Sequence, residues 1–420
     1  MTGLGLVCAT GVDLDACFAA LMSGESQLTD VARPWAVPPF ELGAAVRDLD
    51  ARRWILSRNL RRMNRLSRMA VVAAMRALQM AHGVQDETAH GAAQEAKRSE
   101  LGIGVVLGTG LGALEDTIEF VSQLVDSDPA LANPGLFPTT VMNVAASQIS
   151  IELGLQGFNT TVNHKEVSGE LALLVAVQVL QLGRADGLLC GGVDELSHPV
   201  HHGYRRMGGL AAGRPAPYGP SRNGVALGEG AAVLMLEREV QTRARGGSIL
   251  AHVLGVGSAA GERSLVGWSA PDTSAPHAGR GRTASDASLE AGEFSVRQAL
   301  EQAGLGPRDV DLVIAPGAGS PELDALDASV LARVFGAEGV PVTSPHGALG
   351  TWMASGALRL VLAVEVLRRG QVFPTALEGA VDPLLPLRLV TRGYEADVDV
   401  VLVCGHATGG CSAAAVLGKA

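Results

Sequence analysis

The chain has 420 residues, 47% of them hydrophobic, 18% charged and 4% aromatic, with 53 glycines. That length exceeds one small core and suits two domains of about 200 residues or one large duplicated unit. The apolar fraction excludes a disordered chain, and a formal charge of −10 argues against nucleic-acid binding as the main role.

In chain order, residues 60–82 read as a helix and residues 101–107 as a buried strand running into a glycine-rich turn at 108–112. Helices follow at 114–125 and 168–182, then strands at 188–192 and 231–236. Past an Arg-Ala-Arg-Gly-Gly turn come a helix at 295–303, a strand at 311–315, a helix at 355–368 and a strand at 398–403. Strands alternating with helices predict an α/β protein with mostly parallel sheets covered on both faces. Residues 261–293, rich in Gly, Ser, Ala and Pro and without a period, read as a long loop. Each half holds a strand, a glycine-rich bend, a helix and a closing glycine-rich strand, 189–192 in one and 403–410 in the other. This predicts an internal duplication with halves 1–245 and 246–420.

The five cysteines show no CxxC pair and suit reduced thiols in a cytoplasm, without structural zinc. The apolar run 171–182 is too short to span a bilayer and fits a buried helix, and the first residues carry no basic, cleavable leader pattern. His198, His201 and His202 are adjacent in what reads as a loop, without a carboxylate at helical spacing, so no metal is expected there. No cofactor is expected.

Several motifs resemble one family over nearly the whole length. They are Thr2-Gly3-Leu4-Gly5, Leu60-Arg61-Arg62-Met63, residues 143–157, and Gly191-Gly192-Val193-Asp194-Glu195. Pro217-Tyr218-Gly219-Pro220-Ser221-Arg222-Asn223-Gly224 and Leu227-Gly228-Glu229-Gly230-Ala231 complete the set. Together they resemble the β-ketoacyl synthases, the condensing enzymes of fatty acid and polyketide assembly. The resemblance implies a thiolase-like fold of five layers, αβαβα, built from two similar halves.

A condensing enzyme needs a thiolate at a helix N-terminus, two imidazoles to stabilise an enolate, and a lysine. In the run matching the nucleophile segment, Lys165-Glu166-Val167-Ser168-Gly169, Glu166 stands at the cysteine's place. Pro316, in Ala315-Pro316-Gly317-Ala318-Gly319, replaces the first histidine. In Thr343-Ser344-Pro345-His346-Gly347-Ala348-Leu349-Gly350-Thr351, His346 stands for the lysine and Thr351 for the second histidine. A carboxylate forms no thioester and a proline donates no hydrogen bond, so this chain alone is expected to condense nothing. Glu166 is expected to cap the helix beginning near Ser168; a general base assisted by His164 or His346 is the functional alternative.

These departures resemble the chain length factor, the partner of the ketosynthase in bacterial type II polyketide synthases, as does Gly317-Ala318-Gly319-Ser320-Pro321-Glu322-Leu323-Asp324. The family usually carries glutamine where Glu166 stands. The resemblance implies a heterodimer with an active ketosynthase, an acyl carrier protein bearing the growing chain, and a tunnel that limits chain length during malonyl-based elongation. It places Leu114, Thr117 and Val121 at that tunnel; ordinary core is the competing reading. Arg58, Arg61 and Arg62, read as one helical stretch with Arg65 and Arg68, would dock carrier or partner; a solvated face is the alternative. Other functions left open are a repurposed enzyme, for example an acid–base dehydratase using Glu166 and His346, and a structural scaffold.

Overall fold

The computed structural model describes residues 1–30, 42–47, 49–83, 102–126, 129–261, 286–336 and 339–420. The first sheet contains β1 (Gly3–Val7), β2 (Ile103–Gly108), β3 (Asn159–Val162), β4 (Gly187–Asp194) and β5 (Gly230–Glu237), in the order β1-β5-β4-β2-β3. The second contains β6 (Ala251–Ala260), β7 (Leu312–Ile314), β8 (Pro341–Thr343), β9 (Arg388–Leu389), β10 (Val400–His406) and β11 (Cys411–Lys419), in the order β9-β8-β7-β10-β11-β6.

The sheets match strand for strand. β4, β2 and β3 pair in parallel, as do β10, β7 and β8. An antiparallel strand, β5 or β11, follows on the other side, then the first strand of each half, β1 or β6. Only β9 has no counterpart in this correspondence. The repetition expected from two glycine-rich closing strands is thus present in the topology.

Helices α1 (Arg65–His82), α2 (Leu114–Asp126), α3 (Val144–Leu153), α4 (Ser168–Gln181), α5 (His198–Arg206), α6 (Asp286–Ala303), α7 (Pro321–Phe335) and α8 (Gly356–Arg369) fill the other layers. α4 and α8 touch each other, and each also contacts strands of both sheets; α1 and α3 pack on the first sheet, α6 and α7 on the second. This is the αβαβα sandwich of the thiolase-like fold. Close approach replaces aromatic bulk: a Cβ at Gly3 or Gly5 would run into the carbonyl oxygens of Ala77 and Ala73 on α1. The apolar run at 171–182 lies mostly in α4, as its length suggested. Among the described residues no helix is long and apolar enough to cross a membrane.

Two expectations need correction. The stretch 60–82 is not one helix: a short turn of helix at Ser57–Leu60 is followed by a break, and α1 starts where the Asn64 side chain accepts the Ser67 N–H. Residues 286–293 of the expected loop belong to α6, which packs on β6 and β11; residues 262–285 lie outside the described residues.

Candidate functional site

Loops and helix starts of both halves enclose a cavity with about 920 Å³ of empty space, part of it open to solvent. Three of the four replaced positions line it: Glu166, Pro316 and Thr351. His346 lies behind the wall, and Arg359, Tyr204 and His406 complete the lining around Glu166.

Glu166 sits on a tight 3₁₀ turn, Lys165–Val167, just before α4. Lys165 takes φ +50°, the left-handed region costly for a side chain with a Cβ. The turn directs the Glu166 carboxylate across the cavity to the glycine-rich loop of the second half. There it accepts the Thr408 N–H at 3.1 Å and the Thr408 hydroxyl at 3.2 Å. It does not cap α4, which has no side-chain cap; that expectation fails because the turn carries the side chain away from the helix axis. Burial pushes the Glu166 carboxyl up, opposed by its own N–H and by Thr408.

His346 is held in one role. Its Nδ1–H donates to the Gly350 carbonyl at 2.9 Å, and Nε2 accepts from Arg359 Nη1 at 2.7 Å. Arg359 also pairs with Glu170, one turn along α4 from Glu166. All three side chains are buried. Burial, reinforced by the Arg359 charge, lowers the imidazole to about 3. His346 is therefore a neutral imidazole engaged at both nitrogens, donating to Gly350 and accepting from Arg359, an arrangement that counts against a proton relay with Glu166. Arg359 escaped sequence reading, although an arginine inside the apolar run Leu358 to Val364 was a usable signal.

Asp194 ties the site together by accepting the Thr109 hydroxyl at 2.9 Å, Gly110 N–H at 2.8 Å and Ala354 N–H at 2.7 Å. Burial raises it to about 6. Its neighbour Glu195 lines the cavity and is raised to about 7, chiefly by burial.

The tunnel residues stand elsewhere. Leu114, Thr117 and Val121 lie on α2 and do not line this cavity. The Thr117 hydroxyl donates back to the Ala113 carbonyl at 2.8 Å. α2 has no buried residue, so it is not ordinary core: Ile118, Val121, Leu124 and Val125 are exposed, as are Phe137, Val141 and Met142 in the segment following it. Arg58, Arg61 and Arg62 are exposed as well. Arg65 and Arg68 leave that row: Arg65 pairs with the buried Glu229 at 2.8 Å, and Arg68 donates to the Leu60 carbonyl at 3.1 Å. His198, His201 and His202 lie on α5 rather than in a loop, with His201 buried.

Residues 1–242 match the N-terminal domain of the β-ketoacyl synthases, and residues 271–377 their C-terminal domain. The tetracenomycin polyketide synthase ketoacyl synthase beta subunit of Streptomyces glaucescens is 30% identical over 427 residues, covering 99% of this chain and 97% of that one. The 3-oxoacyl-[acyl-carrier-protein] synthase 2 of Staphylococcus aureus (strain N315) is 26% identical, covering 97% and 94%. Among solved structures, the ishigamide ketosynthase/chain length factor superposes with a TM-score of 0.86 at 25% identity, covering 100% of this chain and 98% of that chain. A ketosynthase in complex with its chain length factor from Xenorhabdus doucetiae shares the fold, with a TM-score of 0.80 at 20% identity over 100% and 97% of the two chains. With the sandwich, the cavity and both domain matches in place, the chain belongs to the β-ketoacyl synthase family.

Proposed function

We propose that this chain is a chain length factor-like subunit with no condensing chemistry of its own, paired in the cytoplasm with an active ketosynthase that elongates a carrier-bound chain from malonyl units. The observation that carries the reading is the chemistry of the cavity wall. Glu166 occupies the nucleophile's turn, Pro316 and Thr351 stand where two imidazoles belong, and His346 is neutral and locked behind Arg359. A frame kept without its reacting groups serves assembly rather than turnover.

The exposed apolar face of α2 supports a partner, since a contiguous patch of this kind marks an interaction surface. In this reading α2 meets the ketosynthase, Leu114, Thr117 and Val121 shape the end of the tunnel there, and Arg58, Arg61 and Arg62 attract the acidic carrier protein. The two structural units divide near residue 245, after the helix Glu239–Ala244. The relative named as a beta subunit points the same way.

The test is production of the chain alone and together with a ketosynthase bearing an intact Cys-His-His set. The chain alone should leave malonyl and acyl carrier proteins unchanged, whereas the pair should co-purify and build longer chains. Condensation or dehydration by the isolated chain would overturn the reading.

A further inference from the structure

Beside the cavity, three side chains of different kinds converge from α7 and β10. Cys404 and His406 are two residues apart on β10 and so share one face of the strand. Asp327 on α7 faces them. Its Oδ1 lies 3.5 Å from His406 Nε2 and 3.7 Å from Cys404 Sγ, and the three ligand atoms all lie within 4.8 Å of one another. All three residues are buried, with His406 3% exposed and Cys404 0%.

As a hydrogen-bonded cluster this arrangement is poor. His406 Nε2 has no hydrogen-bond partner although it is buried, and 3.5 Å exceeds the usual N–H···O range of about 2.7–3.2 Å. As a metal site it is good. Bonds of about 2.0–2.3 Å to a tetrahedral zinc put neighbouring ligand atoms about 3.3–3.7 Å apart, which matches both separations from Asp327. The outer contacts also fit. His406 Nδ1 lies 2.9 Å from the Ser412 hydroxyl, which fixes the ring and, with Nδ1–H donating, turns the Nε2 lone pair inward. Tyr218 donates its hydroxyl to Asp327 Oδ2 and itself accepts the Gly317 N–H at 3.0 Å, so the carboxylate is oriented with Oδ1 toward the cluster, where it accepts the Cys404 thiol.

We propose that Asp327, Cys404 and His406 form a binding site for a divalent transition metal of the zinc class, with Tyr218 and Ser412 holding the first and last of these ligands in place. The donor set of one thiolate, one imidazole and one carboxylate suits a borderline-soft ion and disfavours magnesium or calcium. Three protein ligands leave a fourth position, and His406 is the ligand that also lines the cavity. The site is independent of the pairing with a ketosynthase.

The test uses the full-length chain, alone or with its ketosynthase. The protein is loaded with zinc, passed through a desalting column and analysed for metal by mass spectrometry; a second sample is loaded with cobalt and its absorption recorded. About one metal per chain and a thiolate-to-cobalt charge-transfer band are expected. Cys404→Ser should abolish that band, and His406→Gln should weaken metal retention at least tenfold, in proteins whose circular dichroism is unchanged. A companion variant, His198→Ala with His202→Ala, should keep the metal. Wild-type protein that is folded yet retains less than about a tenth of an equivalent, with no cobalt–thiolate band, overturns the site. So does metal that is lost with the α5 histidines and retained in Cys404→Ser. The wild-type spectrum decides the matter even if a variant fails to fold.

Discussion

Around the cavity, charged groups are buried and engaged: Arg359 between Glu170 and His346, Asp194 among three donors. Along α2 the reverse holds, and Ile118, Val121, Leu124 and Val125 face solvent. A folded monomer gains by the first arrangement and not by the second. The contrast teaches that the interior is held as a frame while the outer helix leaves apolar side chains uncovered, the face that the proposed reading assigns to a partner.

The largest effect expected from breaking this contrast is at Arg359. Arg359→Leu leaves Glu170 buried without its cation and His346 without its donor, and should destabilise the chain by about 3–5 kcal/mol in urea unfolding. Replacing Glu170 by leucine as well should recover part of the loss, because a paired desolvation cost disappears. A loss below about 1 kcal/mol for Arg359→Leu would mean that the frame does not depend on this network.

At α2 the expectation is opposite. Ile118→Glu with Val125→Glu should change the stability of the isolated chain by no more than about 0.5 kcal/mol, since neither side chain is buried. The same pair should weaken capture of the ketosynthase by about thirtyfold or more, the scale of about 2 kcal/mol set by central interface residues. Titration calorimetry on the purified components reads this directly. Unchanged affinity would move the interface away from α2.

A smaller effect concerns pH. Glu195 is raised from 4.5 to about 7 mainly by burial, so it binds a proton more tightly in the folded chain. Its contribution to stability is fully present below about pH 4.5 and is lost as pH rises through about 7. Glu195→Gln should flatten this part of the stability–pH curve; a curve identical to wild type would show that burial at Glu195 does not govern it. The smallest effect is kinetic: Arg61→Glu with Arg62→Glu should lower carrier protein turnover a few-fold at low salt, and the difference should fade near 1 M salt, where the Debye length is about 3 Å.

Much of the fold was legible because strands with apolar runs and helices with apolar stripes follow local rules. β4, β5, α4 and α8 all lie within a few residues of their expected places. β6 and β11 were missed because Ala251–Ala260 and Cys411–Lys419 are built largely of small residues, and their strand character comes from pairing with each other. α7 opens on a helix-start signal, Ser320 followed by Pro321, but the glycine-rich run 317–319 just before it reads as a turn and masks that signal. At the site, the substitutions at 166, 316, 346 and 351 were legible from motif position. What those residues do was not: that Glu166 reaches Thr408 depends on a contact between the halves, and that Arg359 immobilises His346 depends on how the second half packs. The Asp327 cluster likewise depends on tertiary packing, here within the second half, since Asp327 and Cys404 lie 77 residues apart in the sequence.

The central claim, that the cavity frames an assembly without performing its chemistry, is tested most directly at Glu166 in the intact complex. Condensation by this chain with its ketosynthase is followed by mass spectrometry of carrier-bound products, comparing Glu166→Ala with removal of the partner's nucleophilic cysteine. The account predicts that Glu166→Ala stays within roughly tenfold of wild type, because no bond is made to that carboxylate, while loss of the cysteine stops elongation. A fall of about four decades for Glu166→Ala, with the complex still assembled, would place Glu166 in the reaction itself and contradict the account.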